Sequence, residues 1–118
     1  MSPRKTSTPS PEALEALADA VGLLDGARLS ADAATDGDLL SPWADVAMSA
    51  QLAAATLQLH LAWPAEIRMV GDCRGNLARA AEELDRLHPF ADVDIDDLVL
   101  ARCWLATALA DADRLHSP

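Results

Sequence analysis

The chain contains no tyrosine, one phenylalanine and two cysteines, and only 9 of its 118 residues are lysine or arginine. Each shortage removes a class of structure or function. With so little aromatic bulk, a core has to be assembled mainly from leucine, valine, alanine and the three tryptophans. Two cysteines, Cys73 and Cys103, make no disulfide framework. The chain also opens without the basic, long apolar and small-residue run of a secretory signal, so a reduced, cytoplasmic setting is expected. Against the 9 basic residues stand 19 acidic ones, for a net charge of -10. Such a surface repels phosphate backbones and anionic headgroups, which argues against nucleic-acid binding through a basic face and against membrane-surface association. Strand-forming residues are scattered singly and never alternate over a useful length, which excludes a sheet.

The spacings that carry chemistry are missing as well. No His-Glu-x-x-His, Glu-x-x-His or Cys-x-x-Cys occurs, so zinc and di-iron sites lack their ligand patterns. His60, His88 and His116 lie near expected helix ends, where an imidazole serves as an ordinary cap. A metal site drawn from His60, Cys73, His88 and Cys103 would have no motif behind it. Asp92-Val93-Asp94-Ile95-Asp96-Asp97 starts like a calcium loop, but Asp97 stands where the turn glycine belongs and Cys103 where the bidentate glutamate belongs. It reads instead as an acidic helix cap. The run from Gly71 to Asn76 has neither a preceding strand nor the Lys-Ser/Thr ending of a phosphate loop. No serine or cysteine has a positioned base. No catalytic residue, metal ligand or cofactor is therefore assigned, and the chain reads as a non-enzyme.

Hydrophobic residues make up 51% of the sequence, and alanine and leucine dominate them, so the expected fold is all-α: an antiparallel four-helix bundle over residues 10–118 behind a disordered tail, 1–9. Ser10-Pro11-Glu12 supplies a cap, a proline at the first helical position and an acid at the positive end of the dipole. Leu14, Leu17, Val21 and Leu24 follow on one face. Small and turn-forming residues over 29–41 predict a loop whose Leu39 and Leu40 dock on the bundle. Ser41-Pro42 repeats the capped start and opens a second helix reaching about residue 62. A third helix is expected over 64–88, with Ile67, Val70, Leu77, Ala81 and Leu84 buried and Arg68/Asp72, Arg79/Glu83 and Glu82/Arg86 paired on its wet side. Gly71 and Gly75 would let a neighbouring helix approach it. Asp94 caps a fourth helix with Leu98, Ala101, Trp104, Leu105, Ala108, Leu109, Ala112 and Leu115 on its apolar face.

The segment 43–63, bounded by Trp43 and Trp63, carries one formal charge, Asp45. Asp45, Gln51, Gln58 and His60 inside it, with no basic cluster beside it, argue against a membrane span. At 100 degrees per residue, Trp43, Val46, Ala50, Ala53, Ala54, Leu57 and Leu61 form a core face. Met48, Leu52 and Leu59 form a second apolar face, with Trp63 at its edge and His60 in a polar wedge. A bundle helix needs only one apolar face. Burying the three extra side chains is worth about 5 to 9 kcal/mol, against an association cost of about 4 to 15 kcal/mol. Three covers are possible: the 29–41 loop, a second subunit or protein partner, or a small apolar ligand between the helices. The expected function is a small accessory, regulatory or adaptor protein, homodimeric, acting through Met48, Leu52, Leu59, Trp63 and His60. A bundle that binds an apolar ligand is the alternative.

Overall fold

The computed structural model describes residues 10–87 and 94–116, which form four helices: α1 (Pro11–Thr35), α2 (Pro42–Gln58), α3 (Cys73–Leu87) and α4 (Ile95–His116). The described residues contain no strand. The expected tail, 1–9, lies outside the described residues, as do His88, Phe90, Asp92 and Val93.

Each capped start behaves as its chemistry requires. Ser10 Oγ accepts from the Ala13 N–H at 3.2 Å, and Ser41 Oγ from the Trp43 N–H at 3.2 Å, each with proline next in the chain. Asp94 Oδ1 accepts from the Asp96 N–H at 2.9 Å, and Asp72 Oδ1 from the Gly75 N–H at 2.8 Å.

Helix ends are where the structure departs from the sequence reading. The expected loop over 29–41 is helix as far as Thr35. Its residues are compatible with helix until Asp36 and Gly37, which take the left-handed backbone at φ 51 and 78 and stop it. Leu39 and Leu40, expected to dock, are 90% and 92% exposed on the short connection that follows. α2 ends at Gln58 rather than near 62. Pro64 offers no amide proton and disfavours helical backbone at Trp63. The Gln58 side chain then takes over, donating from Nε2 to the Trp63 carbonyl at 2.8 Å and accepting the Ala65 N–H at Oε1 at 3.4 Å.

The largest correction concerns 64–72, expected as the first turns of α3. Residues 59–72 form no continued helix but a strap, and the topology explains the need for one. α1 and α2 make a hairpin. α4 runs against α2, because His60, just past the end of α2, meets Asp97 in the first turn of α4 at 2.8 Å. α3 runs against α4, because Arg74 pairs with Asp113 and Asp85 with Arg102. Neighbours pack in the cyclic order α1, α2, α4, α3, every adjacent pair antiparallel, so α2 and α3 are diagonal and parallel. A chain leaving α2 at one end of the bundle must travel back before α3 begins. Ile67 and Val70, expected in the core, are consequently about half exposed on the strap. Arg68 pairs not with Asp72 but with Asp19 of α1, at 2.9 Å.

The core is almost wholly Leu, Val and Ala: Leu17, Val21 and Leu24 of α1, Val46 and Leu57 of α2, Leu77 and Leu84 of α3, with Leu98 and Leu105 of α4. Trp43, Leu61, Trp104, Leu109 and Leu115 pack partly buried around it. α1 has α2, α3 and the strap all against it; Gly22 and Gly26 lie on its strap side. Arg79 lies 4.0 Å from Glu83 as expected, whereas Arg86 pairs with the largely buried Glu83 at 2.7 Å rather than with Glu82.

Candidate functional site

Helical periodicity sorts α2 cleanly. Val46, Ala47, Ser49, Ala50, Ala53, Ala54 and Leu57 are buried, while Met48 is 58% and Leu59 79% exposed, with Leu52 half-buried between them. The second apolar face is therefore exposed at Met48 and Leu59, and neither Leu39 nor Leu40 covers it, since both point to solvent.

The five expected residues do not make one patch. Met48, Leu52 and Leu59 share the outer stripe of α2. His60 turns toward α4, where Nε2 contacts Asp97 Oδ2 at 2.8 Å with both side chains mostly covered. Trp63 has left the helix. It lies on the strap and lines a recess of about 320 Å³ with Ala18, Asp19, Pro64, Glu66 and Arg68, on the α1 side of the molecule. The wheel placed Trp63 at the rim of the stripe only because it extended the helix past Gln58.

In its place, α4 adds residues that the sequence reading left out. Ile95 and Val99 are exposed, and so is Leu100. Leu100 lies three residues beyond Asp97, on the side of α4 that abuts α2, and half-buried Trp104 follows one turn later. Leu100 thus lies on the α4 side of the seam, separated from the α2 stripe by the polar wedge that holds His60 and its Asp97 contact. The signal was present in Leu98-Val99-Leu100, three consecutive apolar residues of which a single buried face can take only one or two.

Elsewhere the titratable groups show ordinary structural causes. Burial pushes the Cys73 thiol up to about 11, with the Asp72 carboxylate adding to the effect. Burial likewise raises Asp25, with Arg28 opposing. Cys73 is buried at the start of α3 and Cys103 exposed on α4, both as free thiols. Among the described residues, no three His, Cys, Asp or Glu side chains come together to hold a metal ion, and no helix is long and apolar enough to cross a membrane. A second recess, of about 250 Å³, lies between α3 and α4, lined by Ala81, Leu84, Asp85, Arg102, Leu105, Ala106 and Leu109.

Comparisons with protein-family models, with curated proteins and with solved structures gave no match for this chain.

Proposed function

We propose that this chain is a small non-catalytic binding protein of the cytoplasm, a homodimeric accessory, regulatory or adaptor protein that associates through the outer stripe of α2. The observation that carries the reading is the exposure of Met48 and Leu59, 58% and 79%, on a stripe that Leu39 and Leu40 leave uncovered. Charge supports it. In a chain of net charge -10, this stripe is free of formal charge, so two copies can meet along it while their carboxylates stay at the rim.

A two-fold arrangement buries the stripe on both copies at once. Six side chains would be worth about 9 to 18 kcal/mol if all started fully exposed. Because they begin partly covered, about 5 to 10 kcal/mol is available, against an association cost of about 4 to 15 kcal/mol. That balance describes a weak, concentration-dependent dimer. The alternative, an apolar ligand between the helices, has less behind it: both recesses open to the surface and carry charged linings, Asp19, Glu66 and Arg68 in one and Asp85 and Arg102 in the other.

Sedimentation across a rising concentration series tests the reading. The mass should climb from monomer toward dimer, and Leu52→Asp should hold the chain monomeric with its helix content intact. A monomer at every concentration up to millimolar would sink the proposal.

A further inference from the structure

The strap lies over the face of α1 that a bundle helix normally turns to water. It comes close enough to exclude side chains there: a Cβ at Gly22 would stand 2.1 Å from the Glu66 carbonyl oxygen, and one at Gly26 2.2 Å from that of Arg68. What holds it is one backbone hydrogen bond to α1 and the side-chain amide of Asn76. The Arg68 N–H donates to the Gly22 carbonyl at 3.0 Å. Asn76 Nδ2 donates to the Arg68 carbonyl at 2.7 Å, and its Oδ1 accepts from the Val70 and Gly71 N–H groups at 2.9 and 3.2 Å. One ion pair, Arg68–Asp19, is added at the surface. Apolar packing is thin: Ala65 packs partly buried against the core, while Trp63, Ile67, Met69 and Val70 all remain about half exposed. The bundle core, from Leu17 and Leu24 to Leu57, Leu77 and Leu84, gathers on the other faces of α1.

We propose that residues 64–71 form a releasable strap, lifting from α1 as a unit while the four helices stay folded, and baring the glycine-lined face of α1 together with the Asn76 amide. Segments held by few buried apolar contacts open below the global unfolding free energy. Leu61, packed partly buried against the core, and the Asp72 cap at the start of α3 are the two fixed ends.

Native-state hydrogen exchange on the full chain reads this directly. The Arg68, Val70 and Gly71 amides should exchange on the order of tenfold or more faster than those of Leu24, Leu57 and Leu84, through an opening almost insensitive to low denaturant. Equal rates with equal denaturant dependence would overturn the proposal. Gly22→Ala supplies a second arm, because its methyl displaces the strap while alanine favours the helix it stands in. Trypsin should then cut after Arg68 on the order of tenfold faster than in the parent chain, with the helical circular dichroism unchanged. Unchanged cleavage, or loss of helix signal along with the strap, counts against a separable strap.

Discussion

Replacing Asn76 tests whether one fully buried amide secures the return path of the chain. The side chain makes four hydrogen bonds with the backbone: to the carbonyls of Leu23 and Arg68 at 3.0 and 2.7 Å, and from the Val70 and Gly71 N–H groups at 2.9 and 3.2 Å; a fifth, longer one reaches Met69 Sδ at 3.8 Å. At about 0.5 to 1.5 kcal/mol net apiece, Asn76→Ala loses about 2 to 6 kcal/mol. Val70 and Gly71 are exposed residues whose N–H groups water can take over, and the Leu23 carbonyl keeps its own helical partner, so the lower part of that range, about 2 to 4 kcal/mol, is expected. A domain of 118 residues has a total stability of about 6 to 18 kcal/mol, so the variant should still fold. Asn76→Asp keeps the shape and inverts the donor, placing an oxygen against two carbonyls. Burial and those two carbonyls disfavour the charged form of the new carboxyl, which would shift its titration upward. A raised acid contributes stability fully only below its unfolded pKa and loses it as pH rises through the folded one. The Asp variant should therefore regain stability relative to the parent chain between about pH 7 and pH 4, a recovery absent from the Ala variant. Urea unfolding at a series of pH values measures both. A loss below about 0.5 kcal/mol for Asn76→Ala, with no pH recovery for Asn76→Asp, would refute the claim that this amide holds the strap.

Leu57 and Leu59, two positions apart, should separate core from surface. Leu57→Ala, at a fully buried site, should cost about 2 to 5 kcal/mol in urea unfolding, whereas Leu59→Ala should stay within about 0.5 kcal/mol at dilute, monomeric concentration while weakening self-association. Cys73 predicts an alkaline limb. Its thiol is raised from 9.0 to about 11, so the neutral form is favoured in the fold, and stability that is complete below pH 9 is lost progressively up to pH 11. Over that interval the parent chain should lose about 2 to 3 kcal/mol relative to Cys73→Ala, and parallel stability–pH curves for the two would contradict the burial argument.

Local chemistry was legible in the residues. Ser10-Pro11, Ser41-Pro42 and Asp94 each declare a helix start through a side-chain acceptor or a missing amide proton, and each stands where those groups require. The all-α class and the second apolar face of α2 followed from composition and period in the same way. Chain direction was not legible. Whether α3 runs parallel or antiparallel to α2 depends on which apolar stripes meet, and those stripes are built from interchangeable Leu and Ala. A third helix from Pro64 and a strap to Cys73 were therefore hard to tell apart by pattern, and Trp63, Ile67 and Val70 were all misplaced with that choice. The same gap hid the meaning of two glycine pairs. Gly71 and Gly75 drew attention because they seemed to sit inside a helix, yet a Cβ at either meets nothing closer than 3.1 Å. Gly22 and Gly26, inside α1, carry no such signal in the sequence. Only when the return of the chain toward α3 is known does their four-residue spacing read as a track along the outer face of α1, cleared of side chains so that backbone can bond to backbone. A helix propensity cost of about 1 kcal/mol at each glycine is retained there because a methyl group would close the path.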